Sequence, residues 1–307
     1  MQKMITILGP TASGKTPVAV RLAAEIGGEI ISADSRQVYR RMDIGTGKDL
    51  ADYWVDGQQI PYHLIDIREP GTKYNLFEYQ QDFYEVYQDI RGRGRVPILC
   101  GGTGLYIEAV LKGYCLSPVP QNQNLRDQLE GKSLDELTQM LIKLKDRNGS
   151  AMHNKTDVDS PQRAIRAIEI ETYNMENPMP LRKLPAVDSL IVGISIDRDL
   201  RRENISRRLK ARLEDGMIDE VRSLLTEGIA SDALTYYGLE YRYVTEYVMG
   251  HLSYDEMFCQ LETAIHQFAK RQMTWFRGME RRGLFIHWLD ATLTLDKKVR
   301  QILELCQ

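Results

Sequence analysis

An octet near the start of the chain combines residue types whose spacing could bind phosphate. It fits the pattern G-x-x-x-x-G-K-[ST] and consists of Gly9, Pro10, Thr11, Ala12, Ser13, Gly14, Lys15 and Thr16. The glycines let the backbone wrap so that its N–H groups face an anion, while Lys15 adds a positive charge. Thr16 supplies a hydroxyl for a metal ion or a phosphate oxygen. The octet predicts a phosphate-binding loop, although a glycine-rich turn that binds nothing is the alternative, and the pattern does not reveal whose phosphates are held.

Two further polar positions follow segments that have the pattern of buried strands. Asp34 comes just after Glu29–Ser32, and Thr103 lies in a glycine-rich turn after Arg95–Cys100. Ligands of open α/β sheets bind at the carboxyl ends of the strands, so we expect both side chains near the mouth of the phosphate loop. Asp34 could instead cap the turn that follows it, and Thr103 could be only a helix N-cap.

Apolar runs and amphipathic stretches alternate around these residues. The β-prone runs are Met4–Leu8, Glu29–Ser32, Tyr62–Asp66, Arg95–Cys100, Leu190–Ile196 and Leu284–Trp288. Helical spacing marks Val18–Ala24, Asn75–Arg91, Ile107–Leu111, Leu200–Leu213, Asp219–Thr226, Tyr254–Arg277 and Asp296–Cys306. This alternation predicts an α/β fold, a P-loop NTPase-like core with a parallel sheet flanked by helices.

The interval between Leu116 and Asp188 lacks any strand pattern. Its helical segments are Asn122–Glu130, Leu134–Lys145 and Pro161–Tyr173, and prolines stand at both borders. We therefore predict an all-helical insertion subdomain at 117–187. The core would be built from its two flanks, 1–116 and 188–307.

Composition excludes several classes of protein. The chain of 307 residues has a formal charge of −3, with 43% hydrophobic and 27% charged residues, which is ordinary for a globular protein and not a polycation. A local basic run nevertheless spans Arg198–Arg212. The four cysteines show no zinc or disulfide spacing. No signal peptide and no long apolar run are recognisable, so we expect a cytoplasmic protein without membrane association.

Further motifs follow the phosphate loop in a fixed order: Ile31–Arg40, Met42–Thr46, His63–Asp66, Gly101–Ile107, Pro161–Glu169 and Ala269–Phe276. Together with the loop they resemble the tRNA dimethylallyltransferase (tRNA isopentenyltransferase) family, in its bacterial form. The resemblance implies transfer of a dimethylallyl group from dimethylallyl diphosphate to the exocyclic N6 amine of adenosine 37 of tRNA, with Mg²⁺ as cofactor and release of diphosphate. It also implies a grip on the anticodon arm, and we expect a monomer.

The resemblance assigns a role to individual residues. Asp34 would accept the proton of the amine, Arg208 would stabilise the leaving diphosphate, and Thr103 would contact the oxygen that bridges the allyl carbon and the diphosphate. Thr16 would lie at the diphosphate and the metal. The tRNA contacts would be Asp34, Ser35, Arg36 and Gln37 in the core and Gln162, Arg163, Ala164, Ile165 and Arg166 in the insertion.

Three segments depart from the family pattern: His153–Asp159, Tyr237–Arg242 and Ile265–His266. We expect these segments to lie in helical parts that contact tRNA and to leave the reaction centre unaffected.

Rival interpretations share part of these features. A small-molecule P-loop kinase would not need the Asp34 motif, and an adenylate prenyltransferase would not need the insertion. A non-enzymatic RNA-binding module would not need Asp34, Thr103 and Arg208 together.

Overall fold

A parallel sheet of six strands organises the larger part of the chain in this computed structural model, which describes residues 3–149, 155–177 and 184–306. The strands are β1 (Met4–Leu8), β2 (Gly28–Ala33), β5 (Tyr62–His63), β6 (Val96–Gly101), β7 (Ser189–Ser195) and β8 (His287–Asp290). Their order across the sheet is β5-β2-β6-β1-β7-β8, and all pairings are parallel. β1, β2 and β6 are buried along their whole length, as is typical of the inner strands of a parallel sheet covered on both faces. The predicted parallel α/β fold is confirmed.

Helices cover the sheet and supply most of its packing surface. Those of the first half are α1 (Lys15–Ile26), α2 (Leu76–Gly92) and α3 (Gly104–Leu111). Those after β7 are α7 (Arg198–Glu214), α8 (Met217–Thr226), α9 (Ser231–Tyr236), α10 (Leu239–Val248), α11 (Tyr254–Arg281) and α12 (Leu295–Leu305). The apolar faces of the strands and of α1 and α12 form one core cluster. In the described part of the chain, no helix is both long and apolar enough to cross a bilayer.

The helical unit, Tyr114–Leu184, is compact in itself, and Met1–Gly113 with Pro185–Gln307 form the other unit. It contains α4 (Gln123–Leu129), α5 (Leu134–Asn148) and α6 (Pro161–Glu176), and no strand among its described residues. A small apolar core centred on Leu137, Leu141 and Ile168 holds these helices together. The unit begins at 114 rather than at 117 and ends at 184 rather than at 187.

Two strand predictions need correction. The strand predicted at Tyr62–Asp66 stops at His63, because Leu64 and Asp66 adopt positive φ angles of 61° and 56°, which no strand tolerates. The last strand lies at His287–Asp290 rather than at Leu284–Trp288.

A short hairpin, β3 (Trp54–Val55) with β4 (Gln58–Gln59), was not predicted. Asp56 and Gly57 turn it with φ angles of 50° and 79°. Asp-Gly is the characteristic pair for such a turn, so the signal was present in the sequence.

Candidate active site

The phosphate loop joins β1 to α1 and has the strained backbone that its sequence suggests. Ala12 and Gly14 both have positive φ angles, 60° and 80°. A Cβ atom at position 9 would lie 2.6 Å from the Ser13 hydroxyl oxygen, so a larger residue than Gly9 would push into the loop. That hydroxyl is buried and has no hydrogen-bond partner among the described residues. An orphaned buried hydroxyl costs about 1–3 kcal/mol, which a bound anion would recover.

Gln272 of α11 ties the phosphate loop to the turn after β6. Its side-chain oxygen accepts from the Thr11 N–H at 2.8 Å, and its side-chain nitrogen donates to the Gly102 carbonyl at 2.9 Å. Gln272 is buried, so both bonds are shielded from water. Sequence reasoning placed Gln272 in a family motif but gave it no role.

Lys15 is the first residue of α1, and its ammonium has no ion pair or hydrogen bond within the part of the chain that the structure describes. Its pKa is lowered, first by burial and then by Arg208 and Arg212, while Cys100 and Asp34 act in the opposite direction. An unpaired cation in a cavity wall has lost hydration without gaining a counter-ion. A diphosphate would supply that counter-ion.

Asp34 follows β2 and makes one local hydrogen bond. Its Oδ1 accepts from the Arg36 N–H at 2.9 Å. Its second carboxylate oxygen has no partner among the described residues, and the side chain lines the cavity that contains Lys15. Burial raises the pKa of the neighbouring Cys100 thiol to about 11, so at neutral pH this thiol is no rival base. Asp34 therefore both stabilises its turn and presents a free oxygen to the cavity.

Thr103 stands at the N-cap of α3, yet its side chain makes no capping hydrogen bond. Instead its Oγ1 accepts from the Ser35 N–H at 3.2 Å. No acceptor within the described residues uses the hydroxyl's own proton, so this proton remains for a ligand in the cavity. The N-cap alternative therefore does not account for the Thr103 side chain.

Gln37 fixes the end of the segment that begins at Asp34. Its side-chain oxygen accepts from the Ser32 hydroxyl at 3.0 Å, and its side-chain nitrogen donates to the Gly47 carbonyl at 3.0 Å. The segment is thus connected to residues 42–48, a loop that contains Gly45 and Gly47 and is called the glycine loop below.

Arg208 and Arg212 project from successive turns of α7 beside this glycine loop. At position 47, where φ is 62°, a Cβ atom would lie 1.4 Å from a guanidinium nitrogen of Arg212 and 2.9 Å from one of Arg208, so a larger residue would strain the backbone and displace both guanidinium groups. Arg208 forms an ion pair with Asp49. Arg212 is only 12% exposed, and its nearest carboxylates, Asp49 and Glu240, are 3.9 and 3.8 Å away, beyond hydrogen-bond range. Arg212 is a second cation at this cavity, and the sequence analysis noted it only as part of a basic run.

The glycine loop is held in place by one carboxylate. Glu220 of α8 accepts from the N–H groups of Asp43, Ile44 and Gly45 at 2.7, 2.8 and 3.0 Å, and from the Tyr241 hydroxyl at 2.6 Å. Lys48, buried to 1% exposure, pairs with Asp43 and Asp66 on the other side. These bonds position the backbone that the two arginines approach.

A single cavity of about 390 Å³ in the larger unit is bordered by Lys15, Asp34, Thr103, Arg208, Arg212 and Gln272. Of the residues predicted from the sequence, it brings together Thr11, Lys15, Thr16, Asp34, Ser35, Arg36, Gln37, Thr103 and Arg208. A purine and a short diphosphate ester are of the size that such a volume admits.

The segments that depart from the family pattern correct one expectation. Gly238, Glu240, Arg242 and Ile265 line the same cavity as Lys15 and Asp34, so these departures do touch the reaction centre. The pKa of Glu240 is raised by burial against the lowering effect of Arg212. In the remaining segment, His153–Asp159, residues 153 and 154 lie outside the described residues.

The predicted tRNA contacts of the helical unit divide into exposed and structural residues. Gln162 and Arg163 are exposed, and Arg163 pairs with Asp159 at 3.2 Å. Ala164 is fully buried and the half-buried Ile165 packs on the same core, so these side chains stabilise the unit, while their contact with tRNA stays a prediction.

Arg166 is largely committed within the helical unit. It donates to the Val119 and Pro120 carbonyls at 2.7 and 3.3 Å and to Glu169 at 3.0 Å. Burial would raise the pKa of Glu169, but hydrogen bonds from Arg126, the Asn122 N–H and Arg166 outweigh it and lower this pKa to about 2. Arg166 therefore has a structural role before any RNA is considered.

The expected Mg²⁺ site can be compared with the side chains that could coordinate a metal ion. Among the described residues there is no group of three or more His, Cys, Asp or Glu side chains that could hold a metal. Mg²⁺ commonly keeps several waters and binds through one or two protein oxygens together with substrate phosphates. The Thr16 hydroxyl in the first turn of α1, lining the cavity beside Lys15, fits that mode of binding.

Comparison with known proteins identifies the family. The family model for IPP transferase matches residues 37–279, and that for isopentenyl transferase matches residues 2–59. A relative from Bacteroides fragilis named tRNA dimethylallyltransferase 2 is 64% identical over 296 residues, 96% of this chain and 95% of its own. One from Parabacteroides distasonis, named tRNA dimethylallyltransferase 1, is 63% identical over 297 residues, covering 97% and 95%.

Solved structures agree with the fold. The crystal structure of the full-length tRNA isopentenylpyrophosphate transferase from Bacillus halodurans has a TM-score of 0.71 at 33% identity, over 99% of this chain and 95% of that one. A eukaryotic dimethylallyltransferase acting on tRNA has a TM-score of 0.78 over 99% of this chain and 78% of its own; at 21% identity this likeness supports the fold alone. By sequence over nearly its whole length, and with the fold in agreement, the chain belongs to the IPP transferase family.

Proposed function

We propose that this chain transfers a dimethylallyl group from dimethylallyl diphosphate to the N6 amine of adenosine 37 in the anticodon arm of tRNA. The observation that carries this proposal is the convergence of Lys15, Asp34 and Thr103 on one cavity, in a chain more than half identical to tRNA dimethylallyltransferases. Since tRNA is the acceptor, we place the reaction in the cytoplasm.

The diphosphate of the donor belongs at the phosphate loop. The N–H groups of the first turn of α1, the Ser13 hydroxyl and the Lys15 ammonium all lack partners in the described structure and can bind its oxygens. Mg²⁺ on Thr16 would add charge neutralisation there. Arg212 of α7 is available to the same oxygens, and Arg208 becomes available when its ion pair with Asp49 is replaced by one with the ligand.

The acceptor amine belongs at Asp34. As its nitrogen bonds to the allyl carbon, the bond from that carbon to the bridging oxygen breaks and diphosphate leaves. The free carboxylate oxygen of Asp34 takes the proton that the amine gives up, and the Thr103 hydroxyl donates to the bridging oxygen. A positioned base contributes roughly 10²–10⁴ in rate.

One assay separates the alternatives. The full chain is incubated with radiolabelled dimethylallyl diphosphate, Mg²⁺ and either unmodified tRNA or AMP, with Lys15→Ala as the inactive control. We expect label in tRNA only. Label in AMP alone would indicate an adenylate prenyltransferase, and tRNA-independent ATP turnover without prenyl transfer would indicate a kinase-like protein.

A further inference from the structure

Two large aromatic side chains at the active-site cavity remain open to solvent. Tyr236 and Phe268 line the cavity, and they are 40% and 39% exposed. Exposed aromatic rings beside a site for an extruded base are the usual stacking surfaces of proteins that bind unpaired nucleotides. A guanidinium lies over each ring, that of Arg36 over Tyr236 at 5.0 Å and that of Arg271 over Phe268 at 5.9 Å, and of these two arginines Arg36 is the one whose N–H bonds to Asp34.

Tyr236 packs against the next residue, which is anchored in the core. Tyr237 is 2% exposed, and its hydroxyl accepts from the Gly71 N–H at 2.6 Å and donates to the Thr72 carbonyl at 3.0 Å. The rings of Tyr236 and Tyr237 meet edge to face at 5.5 Å. The exposed ring therefore packs on a neighbour that is buried and held by two hydrogen bonds.

Arg36 contacts both Tyr236 and Asp34, the proposed general base. Its guanidinium carbon lies 5.0 Å from the centre of the Tyr236 ring, within the range of a cation–π contact. The backbone N–H of the same Arg36 donates to the Asp34 carboxylate at 2.9 Å. The Arg36 side chain also passes over Gly238, where a Cβ atom would lie 3.8 Å from it.

We propose that Tyr236, backed by Arg36, is the stacking surface for the extruded target adenine, and so positions its amine at Asp34. This inference rests on the proposed function. A purine presents a flat π surface that an aromatic ring and a guanidinium plane both match, whereas the dimethylallyl group of the donor is small and aliphatic. Tyr236 is therefore assigned to the acceptor and not to the donor.

The test compares Tyr236→Ala and Tyr236→Phe in the full chain, with Phe285→Ala as the matched control. Phe285 is also an exposed aromatic, at 74%, but it is not part of this cavity. Prenyl transfer is measured with unmodified tRNA and dimethylallyl diphosphate, with melting temperatures as the check on folding. Loss of one base–aromatic stack corresponds to roughly 5- to 150-fold in affinity, so we expect the KM for tRNA to rise about tenfold or more in Tyr236→Ala.

Tyr236→Phe and the KM for dimethylallyl diphosphate distinguish a stacking role from a general defect. Tyr236→Phe keeps the ring and should stay within about threefold of the native KM for tRNA, as should Phe285→Ala, while the KM for the donor should stay unchanged in all three. A stem-loop with 2-aminopurine at the target position should lose fluorescence on binding the native protein and Tyr236→Phe, and keep it with Tyr236→Ala.

Each contrary outcome has a definite meaning. If the native protein does not prenylate tRNA, the proposed function is wrong. If it does, and Tyr236→Ala retains the native KM for tRNA or raises only the donor KM, the stacking role alone is overturned. A defect of equal size in Tyr236→Phe would attribute the effect to the hydroxyl and would also overturn it.

Discussion

Replacement of Asp34 by asparagine separates its two possible roles, because the structure gives each role a different oxygen. Oδ1 accepts from the Arg36 N–H, and an asparagine oxygen can still do so, while the free oxygen becomes an amide nitrogen that cannot take a proton. The structural loss is therefore a small part of one hydrogen bond of about 0.5–1.5 kcal/mol. The chemical loss is that of a general base, about 10²–10⁴ in rate, or about 3–5 kcal/mol in activation free energy.

The assay is single-turnover prenyl transfer at saturating donor and tRNA, so that binding changes do not enter the rate. We expect Asp34→Asn to melt near the native temperature, to bind tRNA with native affinity and to react at least a hundredfold more slowly. Asp34→Ala should show the same rate defect with an additional loss of stability. If Asp34→Asn reacts within threefold of the native rate, Asp34 is a turn-stabilising residue and the amine's proton goes elsewhere.

Three other predictions follow from described contacts. Lys15→Met should raise the melting temperature at pH 7 and abolish the stabilisation that added diphosphate gives the native protein. Because the folded-state pKa of Lys15 lies below its ordinary 10.5, the free energy of unfolding of the native protein should rise between these two pKa values as pH rises, and this rise should be absent from Lys15→Met. Gln272→Ala leaves the Thr11 N–H and the Gly102 carbonyl without partners, so calorimetry should show donor affinity lowered about tenfold or more, and native affinity would contradict the bridging role. Arg163→Ala should lower the slope of log tRNA affinity against log salt by about one with no change in melting temperature, whereas Arg166→Ala should lower the melting temperature because Glu169 loses a partner. An unchanged salt slope in Arg163→Ala, or an unchanged melting temperature in Arg166→Ala, would contradict the assignment of Arg163 to tRNA binding and of Arg166 to stability.

The core of the site could be predicted from the sequence because its chemistry is local. The glycines of the phosphate loop and the Asp34 segment each lie directly after a buried strand, and parallel strands bring their carboxyl ends to one edge. The strands themselves were recognisable by their apolar runs, whereas the end of β5 depended on the positive φ angle of Leu64, which composition does not reveal.

Other parts of the site depend on contacts between residues that are distant in the sequence. Arg212 is one arginine in a basic run, and only the packing of α7 against Gly47 distinguishes it from its solvated neighbours. Glu240 lies in a segment that differs from the family pattern, so no motif indicated that it faces the cavity. Conversely, Ala164 and Arg166 belong to the motif Pro161–Glu169, yet Ala164 is buried in the helical unit and Arg166 forms hydrogen bonds within it.

The bond between Gln272 and the phosphate loop constrains the order in which the protein matures on the ribosome. The loop is made first, but its neighbouring strand β7 lies at Ser189–Ser195 and its Gln272 partner lies later still. At about 5–20 residues per second, synthesis up to that glutamine takes roughly 14–54 s, and the tunnel adds to this delay. Until β7 is made, β1 has only β6 to pair with, and its other edge stays open, a state prone to mispairing. A chain truncated before β7 should thus need chaperone protection, and competence for phosphate binding should arise only after Gln272 is made.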